Sequence, residues 1–312
     1  MGLESAEWQR EKFVNRFYSN RLACALNKRK SILFTGAAIV AASLGLSTAS
    51  SRAANVVLQD GNSSVTLSTA AVTNWMIGGT NELGQESFWY RVGNSGGQSP
   101  ISSLSPVTSK ASDTNMNGLN DTAKFSYGST SGFQVVVTYS LTGGDTGTET
   151  SDLDENIKVT NPGMSSQTFH LFEYTNFNLG DSTTGQTVKI TGGNTASDAG
   201  NGLDAEVIVS NSKPGEYEAS NTGASPDLLS HVSSSSTAYT LSDTASAAAG
   251  DGESAFEWNI TLGCGSSYDI CIDKKITGVQ IVTVPEPVGG AIALVGLGGI
   301  FMGRPRRRGG TA

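Results

Sequence analysis

From Asn55 onward the apolar side chains of this 312-residue chain recur at every second position. In Phe133–Leu141, Phe133, Val135, Val137, Tyr139 and Leu141 fall on one face, while Gln134, Thr138 and Ser140 fall on the other. Successive side chains of a strand point to opposite faces, so this spacing predicts a half-buried antiparallel strand. The same reading predicts strands at Val65–Leu67, Val72–Ile77, Glu86–Val92, Ala123–Tyr127, Leu153–Val159, Thr168–Tyr174, Thr187–Thr191, Ala205–Ser210, Ala238–Leu241, Ala255–Leu262 and Tyr268–Ile272. Turn residues separate them, as in Asn161-Pro162-Gly163 and Gly265-Ser266-Ser267. Asn94–Ser112 reads as a Ser/Gly/Pro loop, and Asp227–Ser233 is the one stretch that reads as helical. Many short strands joined by such turns predict an all-β fold, an antiparallel β-sandwich spanning residues 55–283. A body of that size buries a sizeable core as one large domain or two small ones.

The two ends are built differently. Lys28-Arg29-Lys30, the apolar run Ile32–Leu46 and small residues up to Ala54 follow the order of a secretory signal peptide, with cleavage after Ala49 or Ala53. Residues 1–54 are long for such a peptide, and a start nearer Leu26 would shorten it. Cys24 precedes the apolar run instead of following it, which excludes a lipoprotein signal. The chain closes with Pro285-Glu286-Pro287, an uncharged run Val288–Met302, and a basic cluster of Arg304, Arg306, Arg307 and Arg308. As a helix the run would reach roughly 22 Å, short of a hydrocarbon core of about 30 Å, and five glycines weaken it. The arginines hold its far end on the cytoplasmic side.

In this order, the tag, the run and the arginines of residues 284–312 resemble the PEP-CTERM sorting signal of Gram-negative bacteria. The resemblance implies export by the general secretion machinery and a single transmembrane sorting helix as the only membrane contact. It also implies recognition of Pro285, Glu286 and Pro287 by an exosortase-type membrane transpeptidase. The destination would be the cell surface or extracellular matrix, with exopolysaccharide as company. A permanent tail anchor is the alternative. Residues 139–161, 169–180 and 250–276 resemble blocks shared by a group of PEP-CTERM exported proteins, which implies an all-β extracellular domain without a settled activity.

Between Asn55 and Thr283 the chain carries 8 Lys/Arg against 24 Asp/Glu, a net of −16. Such a body repels nucleic acid and anionic lipid, and leaves room for divalent cations. Asp113, Asn115, Asn117 and Gly118 match the first half of a calcium loop, but Lys124 stands where a bidentate carboxylate belongs, so Asp121 would have to serve. An Asn-Gly turn explains the same residues. Ca²⁺ is therefore the one cofactor the sequence suggests. Asp152 and Asp154 share a strand face with Glu155 beside them, as a cation site or as a solvated cluster. Cys264 and Cys271 could pair after export, although an ideal hairpin sets them out of register.

His170 lies mid-strand, where it faces solvent or pairs with a polar neighbour. Trp258 shares the phase of Phe256 and Ile260 and reads as core; Trp89 and Tyr90 point to opposite faces, which leaves one of them to be exposed. These observations lead to the expectation of an exported, non-enzymatic matrix protein. The alternatives are a carbohydrate-binding module or glycoside-active enzyme on the same sandwich, and a permanently tail-anchored envelope protein.

Overall fold

The computed structural model describes residues 55–128, 133–224 and 227–278. The signal peptide, the Pro285-Glu286-Pro287 tag, the apolar run and the arginine cluster lie outside the described residues. Among those described, no helix is long and apolar enough to cross a membrane.

The described chain is all-β, with two antiparallel sheets stacked as a sandwich. The first half supplies β1 (Val56–Asp60), β2 (Ser63–Leu67), β3 (Ala71–Ile77), β4 (Thr80–Asn81), β5 (Leu83–Val92), β6 (Ser99–Pro100), β7 (Val107–Ser112), β8 (Thr122–Gly128) and β9 (Gln134–Gly143). There follow β10 (Thr150–Thr160), β11 (Gln167–Phe177), β12 (Thr187–Thr191), β13 (Thr195–Gly200), β14 (Leu203–Asn211) and β15 (Glu216–Asn221). A short helix α1 (Leu228–Val232) precedes β16 (Gly252–Leu262) and β17 (Ser267–Gly278). The first sheet runs β1-β2-β3-β5-β11-β16-β15, with β4 on β3 and β6 on β5; the second runs β12-β13-β14-β17-β10-β9-β8-β7.

The alternation seen in the sequence sets the inner faces. Val135, Val137, Tyr139 and Leu141 of β9 meet Phe169, Leu171, Phe256, Trp258 and Ile260 of the opposing sheet in one core. Trp75 Nε1 donates across the gap to Ser151 Oγ at 2.9 Å. Asp227 caps α1 by accepting from Ser230 N, so the helical expectation holds. Three expectations fail for one reason each. Asn94–Ser112 contains β6 and β7, whose residues are mostly half-exposed and carry no apolar stripe to reveal them. β13 and β15 are short and polar and escape the period in the same way. Ala238–Leu241 is not a strand, because its backbone is held by side chains of the first sheet instead of by a neighbouring strand.

At the centre of the sandwich the apolar rule is broken. Lys274 occupies the inner phase of β17 between Ile272 and Ile276, and it is fully buried. Its Nζ lies 2.9 Å from Glu86 Oε2, 3.0 Å from Glu155 Oε1 and 3.0 Å from Glu173 Oε1, all three fully buried. Glu155 stands on the second sheet with Lys274, whereas Glu86 and Glu173 stand on the first. Burial alone would strip the ammonium of its proton, but the three glutamates outweigh it and raise its affinity. Burial, together with Glu86, pushes Glu155 well above the carboxylate range, with Lys274 opposing. Removing one partner of a buried ion pair strands the other charges. Lys274→Ala is expected to destabilise the domain by about 3–5 kcal/mol, read from urea unfolding; a loss within error would show that the cluster is not held by its cation.

A second buried acid belongs to the same core. Asp198 of β13 is 5% exposed, faces Gly252, and has neither carboxylate oxygen matched by a side-chain donor. Burial, with the nearby Asp251, raises it from the usual 3.8 to about 7. Its folded value thus lies above its unfolded one, so its contribution is complete below about pH 4 and is lost as pH rises to about 7. The limiting slope is ~1.4 kcal/mol per pH unit. Thermal melts are expected to fall over this window, and Asp198→Asn to flatten the fall; a variant with the parental slope would contradict it.

Candidate active site on the first sheet

The outer face of the first sheet should be wet, but two of its central strands, β5 and β11, put aromatics there. Trp89 of β5, Phe172 and Tyr174 of β11 and Ala255 of β16 form a second apolar cluster with Leu228 and Val232 of α1 and with Leu241. The segment from α1 to Leu241 is a strap across this face. Trp89 is therefore buried under it, while Tyr90 stacks on Phe169 in the main core, so neither ring is left bare as the sequence had suggested.

Beside the apolar cluster three charged side chains meet. His170 sits opposite Arg91 on β5 and diagonal to Glu257 on β16, which is paired two positions along with Phe172. Its Nδ1 lies 3.1 Å from Arg91 Nη2 and 3.1 Å from Glu257 Oε1, and its Nε2 lies 3.2 Å from Asn94 Oδ1. Arg91 Nη2 is 3.9 Å from Glu257 Oε1, and the guanidinium lies 5.6 Å from the centre of the Phe172 ring. Arg91, His170 and Glu257 are all buried. Burial lowers the proton affinity of Arg91, and Glu257 opposes that.

The geometry admits two proton arrangements. A neutral imidazole accepts from Arg91 at Nδ1 and donates from Nε2 to Asn94. An imidazolium donates from Nδ1 to Glu257 instead. The cluster therefore holds a movable proton between a ring nitrogen and a carboxylate, beside a fixed positive charge. The strap consumes what remains of its bonding capacity. Arg91 Nη1 donates to Tyr239 O at 2.8 Å, and Leu241 N donates to Glu257 Oε2 at 3.1 Å.

The residues singled out from the sequence fall elsewhere. In the Asp113–Asp121 loop, Asp113 Oδ1 accepts from Met116 N and its Oδ2 from Gly118 N, while Asp121 Oδ1 accepts from Thr114 N and its Oδ2 from Asn115 N. Asn115 Oδ1 and Asn117 Oδ1 accept from Asn117 N and Leu119 N. The four side chains thus tie the loop's own backbone, in the manner of the alternative turn reading. Burial raises Asp121, but the donors from Thr114, Thr122 and Asn115 outweigh it and hold the carboxyl below its usual range.

Glu155 leaves Asp152 and Asp154 for the core, and Asp273 takes its place. The oxygens of Asp152, Asp154 and Asp273 lie within 4.8 Å of one another, an arrangement that hard divalent cations accept. Burial and its two acidic neighbours push Asp152 well up, with Lys275 opposing. The expected Cys264–Cys271 bond is not made. Cys264 is an exposed free thiol in the β16–β17 turn, while Cys271 lies within β17, paired in register with Asn156 of β10. Arg91 and Glu257 were missed. Their signal was a charge two residues along the same strand face from Trp89 in β5 and from Ala255 in β16.

No protein-family model matches the chain, and no curated protein matches it in sequence. Solved structures do. A bacterial glucoamylase complexed with acarbose aligns at a TM-score of 0.50 and 10% identity, over 70% of this chain and 31% of that one. The chain thus spans about a third of the glucoamylase. A candidate aldose 1-epimerase from Escherichia coli K12 aligns at 0.47 and 11% identity, over 72% of this chain and 99% of that one. A GH92 α-mannosidase from Bacteroides thetaiotaomicron aligns at 0.33 and 12% identity, over 72% and 31%. The likeness shows the fold: a β-sandwich of the kind the glucoamylase contains. The expectation of a non-enzymatic body is overturned: it rested on the tail, the acidic polar body and the lack of a recognised catalytic motif, whereas a glucoamylase contains a sandwich of this fold.

Proposed function

We propose that this chain is an exported carbohydrate-active protein whose chemistry is carried by Arg91, His170 and Glu257. The supporting observation is the His170 ring nitrogen shared between a guanidinium and a carboxylate on a covered sheet face. Arg91 would hold a sugar oxygen. Glu257 and His170 would exchange a proton with a hydroxyl at the anomeric carbon, one as base and one as acid. The glucoamylase and epimerase likeness supports the substrate class through the fold alone.

The test offers reducing aldoses and short oligosaccharides to the purified body. Anomer exchange is followed by exchange NMR, and bond cleavage by chromatography. Acceleration of either is expected, with a loss of about 10²–10⁴-fold in His170→Ala and Glu257→Gln, each assayed well below its own melting temperature. Neither reaction with any sugar, or full activity in both variants, would remove the reading.

The terminal segments support the placement. The order of signal peptide, acidic body and Pro-Glu-Pro tail fits secretion, exosortase-type processing and release at the surface, near exopolysaccharide. Mass spectrometry of the surface form is expected to give a chain that starts after Ala49 or Ala53 and lacks the arginine cluster. An intact Val288–Arg308 segment there would favour the permanent anchor.

A further inference from the structure

The strap does more than cover an apolar face. Its backbone fills the bonding positions of the charged cluster, with the Tyr239 carbonyl on Arg91 and the Leu241 N–H on Glu257. A carbonyl acceptor and an N–H donor side by side are what a sugar hydroxyl would present to the same two groups. Gln98 reinforces the seat: its N donates to Ser234 O at 2.6 Å and its Nε2 to Tyr239 O at 3.2 Å. Gly97 has no side chain because a methyl group there would overlap the Ser235 backbone. Tyr239 OH and Ser242 N both donate to Glu218 Oε2, at 2.8 and 3.0 Å. The His231 and Tyr239 rings lie 4.1 Å apart.

The other end of the strap is fastened by acids. Glu253 of β16 is 1% exposed. Its Oε1 accepts from Tyr174 OH of β11 at 3.0 Å and from Thr222 Oγ1 of the turn after β15 at 2.9 Å. Its Oε2 and Asp227 Oδ1 are both buried without a donor, and the two side chains come within reach of each other, where a single proton would bridge the carboxyls. Asp227 is the residue that caps α1, so this proton ties the start of the strap to the sheet. The remaining charged neighbour is Asp251, which accepts from Asn176 Nδ2 at 2.9 Å and adds negative charge near Tyr174.

We propose that the segment from Asp227 to Leu241 is a displaceable plug of the Arg91–His170–Glu257 site, latched by the proton shared between Asp227 and Glu253. The inference rests on those three residues being the site, but not on the identity of the sugar. Burial and Asp227 outweigh the donors Thr222 and Tyr174, and raise Glu253 to about 7. With the proton present, the latch is a hydrogen bond. Once it is lost, two carboxylates face each other in a buried contact, and the strap is repelled. The folded value lies above the ordinary 4.5, so latching is complete at low pH and is lost as pH rises through about 7. The closed state buries an apolar cluster much smaller than the main core, so opening it leaves the sandwich intact.

Hydrogen–deuterium exchange of the strap amides tests this, after correction for intrinsic exchange rates. Protection of residues 229–241 is expected at pH 6, with roughly a tenfold rise in exchange per pH unit above 7, the limit for one linked proton. Glu253→Gln is expected to remain closed at pH 8.5, since its amide can donate to Asp227 without a titrating proton, and Asp227→Asn should act alike from the other side. Gly97→Ala is expected to open the strap at every pH and so marks the open state. Equal protection of the native chain at pH 6 and 8.5 would overturn the proposal. The same rise in both latch variants would also overturn it. Sugar turnover with a strap indifferent to pH would remove the latch and leave the site. A pH-dependent strap over a face that ignores every sugar would do the reverse.

Discussion

One ammonium group connects the two sheets. Lys274 reaches Glu155 within its own sheet and Glu86 and Glu173 across the gap, at 2.9 to 3.0 Å. None of the four side chains touches water. A cluster of this kind gains little stability over well-packed aliphatic residues, because desolvating four ionisable groups costs about as much as their attraction returns. Its consequence is positional. A one-residue slip of β5, β10, β11 or β17 would turn one of these groups to the opposite face and leave its partners buried and uncompensated. The ion cluster thus fixes the register of the four central strands. Three of their neighbours on the far side, Arg91, His170 and Glu257, are placed by the same register.

The two faces of the first sheet pose opposite problems. The inner face has a second sheet to pack against. The outer face carries Trp89, Phe172 and Tyr174, and nothing in the sheet itself covers them. The chain answers with the excursion between β15 and β16, which lays α1 and Leu241 over the rings. An apolar cover of this size also desolvates whatever lies beside it. Arg91, His170 and Glu257 tolerate that because they pair with one another and with the strap backbone. The site and its cover therefore depend on each other: the strap is held by the charges, and the charges are kept dry by the strap.

Much of this was legible in the period-two pattern. The sandwich, the long strands β5, β9, β10, β11, β16 and β17, and the cap at Asp227 can be read from residue phase alone. The strands β7, β13 and β15 could not, since their small and polar residues give no apolar stripe. The ion cluster was written in the same phase. Glu155 lies between Leu153 and Ile157, Glu173 lies two residues beyond Leu171, and Lys274 lies between Ile272 and Ile276, each in the buried position of its strand. With Glu86, two residues before Phe88 on β5, a charge falls in the core phase four times over, which implies mutual pairing. Reading Asp152, Asp154 and Glu155 as one acidic group hid that, because adjacent residues on a strand face opposite ways. His170 was noticed as a histidine with a polar neighbour, but its partners lie 79 and 87 residues away in the chain, on strands whose order the sequence does not state.

The acidic balance of the body acquires a physical meaning from these positions. Asp198, Glu253 and Glu155 are buried acids whose proton affinity is raised chiefly by burial and further by other acids close by. Each lies at a junction: Asp198 beside Gly252 at the end of β16, Glu253 beneath the strap, and Glu155 between the sheets. A body with three acids for every base has few cations to neutralise such groups, so protons take that role. Protons can be withdrawn by the medium, whereas Lys274 cannot. At the centre of the sandwich Glu155 has a fixed cation beside it, whereas Asp198 and Glu253 at the margins do not. Loss of protons therefore acts on the strap and the edges before it reaches the core.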